Sequence, residues 1–148
     1  MYQRILIATD GSELSGKAVS SGIALALALD AEVVAYNGVV DYPNMYFEGA
    51  QVLSAADVGH TEQQTHEKSL SLVNAVREEA QNHNVRATAV SGINSGSVSQ
   101  GIVSAARKHN CDLIVMASHD RNGIGRLLLG SETQAVLTHS HIPVLVLR

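Results

Sequence analysis

The sequence predicts an α/β fold, with one five-stranded parallel sheet and helices on both faces. Two observations favour this fold. Five short apolar segments alternate with four longer segments in which apolar residues recur at helical spacing, and this alternation is typical of parallel sheets. In addition, the segments 4–9 and 113–117 are near-continuous apolar runs, as expected for strands that helices cover on both sides.

The first predicted strand, 4–9, ends at Asp10-Gly11-Ser12. Ser12 is a suitable N-cap, because its hydroxyl can accept a hydrogen bond from the first turn of a helix. The helix that follows is predicted to run to about Leu29. It carries small and apolar residues on one face, so it can pack closely against a sheet.

A second strand is predicted at 32–40 and a second helix at 61–83, with an irregular segment at 41–58 between them. An irregular connection of this length in a globular domain is typically functional or mobile. Its aromatic residues fit two interpretations, a lid over a site or anchors that hold the loop to the surface.

The third predicted strand, 85–90, alternates apolar and polar residues, which favours a position at an edge of the sheet. Residues 92–96 begin and end with glycine and are predicted to form a loop. A third helix is predicted from Val98 to about His109, because apolar residues recur there at helical spacing.

Composition limits the classes of protein to consider. The 148 residues fit one domain, 1–148, and 45% hydrophobic with 16% charged residues is ordinary for an ordered core. The net charge of −4 argues against nucleic acid or an anionic membrane as the main partner. The N-terminal apolar run is too short for a signal peptide or a membrane span, and the one cysteine, Cys111, cannot form an intrachain disulfide. These features predict a cytoplasmic protein with Cys111 in the core.

The last third of the chain has the parts of a phosphate-binding site. A strand at 113–117 leads into a glycine-bearing loop at 118–129, and a helix is predicted to begin at Gly130-Ser131. The first turn of a helix offers unpaired N–H groups and a partial positive charge, and both attract phosphate. A final strand at 143–147 ends the sequence.

Side chains near this helix start allow a second interpretation. Ser131 and Thr133 offer hydroxyl groups to a phosphate, and Arg121 in the loop offers a positive charge. An ordinary helix start, with Glu132 in its first turn and Arg121 solvated, would have the same sequence. From the residues alone, the ordinary helix start is favoured, because capped helices are far commoner than phosphate sites.

The same region resembles the end of universal stress protein domains, whose nucleotide-binding members carry G-x2-G-x9-G-[ST]. This chain has Ala117-x2-Asp120-x9-Gly130-Ser131, which keeps the spacing and replaces the first two glycines. The resemblance covers essentially the whole chain. It implies a Rossmann-like fold similar to adenine nucleotide hydrolases, with strand order 3-2-1-4-5. In that order, the carboxyl ends of the first and fourth strands form the expected ligand crevice.

The resemblance further implies that this crevice binds an adenine nucleotide, with ATP as the expected ligand. Members of the family have an acid after the first strand that contacts the nucleotide, and here it is Asp10. From the residues alone, Asp10 could hydrogen-bond a ribose, hold Mg²⁺ through the nucleotide, or be a turn residue that bonds nearby backbone. The positions that the match assigns to the cofactor are Ala8, Thr9, Asp10, Val39, Met116, Ala117, Asp120, Arg121, Gly130, Ser131, Glu132 and Thr133.

Asp120 brings a negative charge beside the expected phosphates. At about 4 Å and an effective dielectric near 20, two like charges cost on the order of 4 kcal/mol before screening. A bridging Mg²⁺ would remove most of this cost, and the family also contains a branch without bound nucleotide in which the motif is degraded. We therefore expect ATP to bind more weakly here than in a relative with both glycines.

Two hypotheses about function remain. The first is a stress-response regulator that binds ATP and hydrolyses it slowly at most, because the sequence has no evident nucleophile with a base and no Walker lysine. The second is a nucleotide-free, dimeric interaction protein of the same fold. A phosphorylated receiver domain is excluded, since it needs an acid pair after the first strand and an aspartate after the third, where this chain has Ser91-Gly92.

The final strand also predicts a homodimer. Residues 142–147 are apolar on both faces, and only Pro143 guards them. In the strand order of the family, this strand lies at an edge of the sheet, where an unguarded apolar strand is prone to aggregate. A second copy offering the same strand would cover it through a twofold interface, as in many universal stress proteins. The alternative is a monomer in which neighbouring helices cover the strand.

Overall fold

The computed structural model describes residues 1–40, 55–94, 96–118 and 129–148, without the side chains of residues 55–61 and 94. Strands and helices alternate along these residues. The elements are β1 (Arg4–Ala8), α1 (Glu13–Leu29), β2 (Glu32–Val40), α2 (Ala55–Asn82), β3 (Ala87–Asn94), α3 (Val98–Lys108), β4 (Leu113–Ala117), α4 (Ser131–His139) and β5 (Val144–Leu147).

The five strands form one parallel sheet with the order β3-β2-β1-β4-β5. This order confirms the fold and the topology expected from the sequence. Because side chains alternate along a strand, the sheet has two apolar faces. Helices α1 and α2 pack on the face that contains Ile5 and Ile7, and helices α3 and α4 pack on the face that contains Leu6 and Ile114.

The core between these layers is aliphatic and fully buried at its centre. Ile5, Leu6, Ile7 and Ile114 have no exposed surface, and each such side chain contributes about 1.5–3 kcal/mol by leaving water. Cys111 is also buried, as predicted, and burial raises the pKa of its thiol to about 11. The reactive thiolate is therefore disfavoured, which fits a core residue rather than a nucleophile.

Charged residues tie the amino-terminal ends of the strands together. Glu32 accepts two hydrogen bonds from Arg4, at 2.6 and 3.0 Å, and forms an ion pair with Arg86 at 2.8 Å. The hydrogen bond from Arg4, with the charges of both arginines, lowers the pKa of Glu32. The Asp112 carboxylate accepts from the backbone N–H groups of Gln3 and Arg4. The charges of Arg4, Glu32 and Arg86 pair with one another, and Asp112 bonds the backbone of β1. These contacts stabilise the amino-terminal edge of the sheet.

Two elements, α2 and β3, differ from the prediction by more than one residue. Helix α2 begins at Ala55, so the prediction of an irregular segment is wrong for residues 55–58, and residues 41–54 lie outside the described residues. Strand β3 spans Ala87–Asn94 instead of 85–90, so the predicted loop at 92–96 is wrong for its first three residues. Strand β3 does lie at an edge of the sheet, as predicted.

The longer β3 depends on a close contact between Gly92 and Tyr36. Tyr36 on β2 is 2% exposed, and Gly38 and Gly92 are register partners two residues further along the sheet. A Cβ atom on Gly92 would lie 2.5 Å from Tyr36 Oη, and one on Gly38 would lie 3.1 Å from it. Gly92 is therefore a strand residue that leaves room for the tyrosine ring, not a turn residue.

We predict that Gly92→Ala lowers the free energy of unfolding by about 1–3 kcal/mol, because the added methyl group overpacks the site. In a Tyr36→Leu background, the same substitution should cost clearly less. Urea denaturation of the four proteins in this double-mutant cycle tests the contact. An equal cost of Gly92→Ala in both backgrounds would contradict it.

Candidate functional site

The sheet is stepped at its carboxyl-terminal edge. Strand β1 pairs with β2 as far as Ala8 opposite Tyr36, whereas β2 and β3 remain paired as far as Val40 opposite Asn94. Four further residues at about 3.3 Å each extend β2 and β3 by about 13 Å. Strand β4 stops at Ala117. The ends of β1 and β4 thus form the floor of a crevice, and the ends of β2 and β3 form a wall beside it.

Val39 lies in this wall, opposite Ile93 of β3. Val39 is partly buried, and Ile93 is 61% exposed. The pair gives the wall an apolar surface at its outer end. Val39 was among the site residues predicted from the sequence, but Ile93 was not, because it lies in the segment 92–96 that was predicted to be a loop.

Thr9 anchors the turn after β1. Its N–H donates to the Tyr36 carbonyl oxygen at 2.9 Å, and its own carbonyl oxygen accepts from Asn37 Nδ2 at 2.7 Å. Its hydroxyl hydrogen-bonds Ser15 Oγ at 3.1 Å and accepts from the N–H of Gly11 at 3.2 Å. Thr9 is 8% exposed, so these hydrogen bonds are buried and stabilise the turn between β1 and α1.

Asp10 lies at the carboxyl end of β1, on the surface. Its Oδ1 atom accepts from the Ser12 N–H at 2.9 Å, which is one of the roles predicted for Asp10, a turn residue that bonds nearby backbone. Gly11 between them has φ +79°, a conformation that glycine adopts freely. Ser12 then caps α1, as predicted, by accepting from the Ser15 N–H. The turn thus holds the Asp10 carboxylate at the edge of the crevice.

The end of β4 contributes apolar side chains to the crevice and one hydrogen bond to the start of α4. Met116 is buried in the same cluster that contains Ala8, and Ala117 packs against the cluster on the opposite face. Ser118, the next residue, is 7% exposed, and its Oγ accepts from the Gly130 N–H at 3.0 Å. This bond joins the end of β4 to the start of α4. No local pattern in the sequence pointed to Ser118.

Helix α4 begins without a side-chain cap. Ser12 and Ser97 cap α1 and α3 through their hydroxyl groups, but the N-cap of α4 is Gly130, which makes no side-chain cap hydrogen bond. Ser131 is exposed and Thr133 is 2% exposed. Within the described part of the chain, the first-turn N–H groups of α4 therefore have no side-chain acceptor of the N-cap type, an arrangement suited to an anion.

The Glu132 carboxylate is directed to the neighbouring helix. Its Oε2 atom accepts from the Ser99 N–H in the first turn of α3 at 2.8 Å. The negative charge of Glu132 is thus bound at the positive end of α3. The remaining two predicted positions, Asp120 and Arg121, lie outside the described residues.

Three further features of the described residues concern other kinds of site: a metal centre, a membrane-spanning helix and a second hollow. They contain no group of three or more His, Cys, Asp or Glu side chains that could hold a metal ion. None of their helices is long and apolar enough to span a membrane. A hollow of about 560 Å³ lies at the amino-terminal edge beside Arg4, Glu32 and Arg86, whose charges pair with one another, so the crevice at the opposite edge is the better candidate.

Comparison with known proteins gives a consistent result over the whole chain. The model of the universal stress protein family matches residues 1–148. A universal stress protein of Methanocaldococcus jannaschii is 32% identical over 151 residues, which cover 100% of this chain and 83% of that protein.

Solved structures share the fold. A universal stress protein in complex with cAMP has a TM-score of 0.72 at 22% identity, with 99% of this chain and 97% of that chain covered. The universal stress protein of Archaeoglobus fulgidus in complex with dAMP has a TM-score of 0.65 at 13% identity, with 99% and 98% covered. At 22% and 13% identity, the similarity to these structures shows a shared fold and no more.

We predict that Asp10→Ala lowers the free energy of unfolding by about 0.5–1 kcal/mol, because the Ser12 N–H loses its acceptor. Asp10→Asn keeps an oxygen acceptor and should remain close to the parent protein. Urea denaturation of the three proteins measures the difference. Equal stability of the alanine and asparagine variants would contradict the role of Asp10 in the turn.

Proposed function

The chain belongs to the universal stress protein family, and we propose that it binds an adenine nucleotide, ATP, in the crevice at the carboxyl ends of β1 and β4. The observation that carries this proposal is the start of α4, where Gly130 provides no side-chain cap and Ser118 ties the helix to the end of β4. A phosphate there would accept from the first-turn N–H groups and meet the positive end of the helix.

The other parts of the crevice match the remainder of an adenine nucleotide. The apolar wall of Val39 and Ile93 suits a base, and the Asp10 carboxylate suits a ribose hydroxyl or an Mg²⁺ ion carried by the phosphates. The two relatives solved with cAMP and dAMP hold adenine nucleotides on the same fold, which supports this ligand class.

We propose a regulatory role rather than fast catalysis. The described residues of the crevice include no hydroxyl or thiol that is paired with a histidine base, since the Thr9 and Ser118 hydroxyl groups bond Ser15 and the Gly130 N–H. The sequence also lacks a Walker lysine. A bound ATP would therefore be hydrolysed slowly at most, and binding itself would be the signal.

We predict that Gly130→Val weakens ATP binding by more than about tenfold, a loss of about 1.4 kcal/mol, because a branched side chain would fill the space beside the α4 N–H groups. Gly16→Val is the matched control, since a Cβ at Gly16 meets no atom within 4 Å. Titration calorimetry with Mg-ATP measures the affinity, and circular dichroism checks the fold. A folded Gly130→Val protein that binds ATP like the parent would contradict this site.

A parent protein that binds no ATP would instead favour the second hypothesis, a nucleotide-free interaction protein.

For either function, we propose a homodimer through β5. This strand lies at an edge of the sheet, it consists of four apolar residues, and Leu145 within it is 39% exposed. Pairing with the same strand of a second copy would add backbone hydrogen bonds along its outer edge and cover Leu145.

We predict that Leu145→Lys shifts the protein from dimer to monomer, because each copy would place a charged side chain in an otherwise apolar interface. Thr88→Lys places the same charge on β3, at the opposite edge, and should leave the dimer intact. Sedimentation velocity at micromolar concentration measures the mass. A monomeric parent protein would contradict the proposed interface.

A further inference from the structure

Three separate side-chain oxygen atoms accept hydrogen bonds from backbone N–H groups at the start of α3. Ser97 Oγ accepts from the Gln100 N–H, and Gln100 Oε1 accepts from the Ser97 N–H, both at 3.3 Å. The Glu132 carboxylate accepts from the Ser99 N–H at 2.8 Å. The first two bonds form a capping box within α3 itself. The third acceptor comes from α4, 33 residues away in the chain.

This third bond is well suited to hold the two helices together. A carboxylate that accepts from a backbone N–H makes a shorter and stronger bond than a neutral acceptor does. Its charge also lies at the positive end of α3. Because Ser99 is 4% exposed, its backbone N–H is held in place by packing, and the exposed Glu132 side chain extends from α4 to accept from it.

The start of α4 therefore has two described ties. The Gly130 N–H bonds Ser118 Oγ on the side of β4, and the Glu132 carboxylate bonds the Ser99 N–H on the side of α3. The two bonds originate two residues apart and extend to different elements. Together they limit rotation of the first turn, whose N–H groups would contact the phosphates.

We propose that Glu132 is a positioning residue for the nucleotide site. Its bond to Ser99 latches the start of α4 to the start of α3 and so aims the first-turn N–H groups of α4 into the crevice. The part of this inference that concerns affinity rests on the proposed function. Glu132 is thus assigned to the site through α3, not through a contact with the nucleotide.

A simple electrostatic role for Glu132 makes the opposite prediction. If its negative charge only repelled the phosphates, both Glu132→Ala and Glu132→Gln would tighten binding by removing that charge. If Glu132 positions α4, the alanine variant loses the latch and binds more weakly. The glutamine variant keeps an oxygen acceptor for the Ser99 N–H and recovers much of the affinity.

The experiment compares the parent protein with Glu132→Ala, Glu132→Gln and the control Glu78→Ala, which removes an exposed glutamate from α2. Calorimetry with Mg-ATP should show about fivefold to tenfold weaker binding for Glu132→Ala, the loss expected for a helix cap, with a smaller loss for Glu132→Gln and none for Glu78→Ala. Hydrogen exchange measured by NMR should show about tenfold faster exchange of the Ser99 amide in the same variant.

The two readouts separate this inference from the proposed function. ATP affinity that is unchanged or tighter in Glu132→Ala would overturn the positioning role, and equal tightening in Glu132→Gln would assign repulsion instead. A parent protein without ATP affinity would overturn the proposed function. The latch would then be judged by exchange alone, where an unchanged Ser99 amide would overturn it and faster exchange in Glu132→Ala would support it.

Discussion

The backbone N–H groups in the first turn of a helix need acceptors, and this requirement organises the carboxyl-terminal edge of the sheet. Helix α1 meets it with Ser12, and α3 meets it with Ser97, Gln100 and Glu132. Helix α4, with a glycine N-cap, makes no such side-chain bond among the described residues. In a parallel sheet, these three helix starts lie at the same edge. Of the three, the start of α4 offers an anionic ligand the most hydrogen-bond donors, because no described side chain caps it.

The shape of the crevice depends on a second constraint, the packing of Tyr36. Its ring occupies the layer beneath α3, and only a residue without a side chain fits beside it at Gly92. Strand β3 can therefore continue next to β2, and the two strands rise past the end of β1. The wall that carries Val39 and Ile93 thus follows from a buried contact on the opposite face of the sheet.

The fold could be predicted from the sequence because the apolar runs of a parallel sheet are long and local, and the family resemblance supplied the strand order. The end of β3 could not, because Gly92 has the sequence signature of a turn and its strand role depends on Tyr36, 56 positions earlier in the chain. Ser118 and Glu132 make their contacts with residues 12 and 33 positions away. Such pairings follow from topology, so no local pattern indicated that Ser118 ties α4 or that Glu132 caps α3.

The proposed function requires that the crevice holds an adenine nucleotide. Mass spectrometry of the small molecules released when rapidly purified protein is denatured tests this claim most directly, with Gly130→Val prepared in parallel. We expect an adenine nucleotide from the parent protein and much less from the variant. A parent protein that releases no adenine nucleotide, or a variant that releases the same amount, would contradict it.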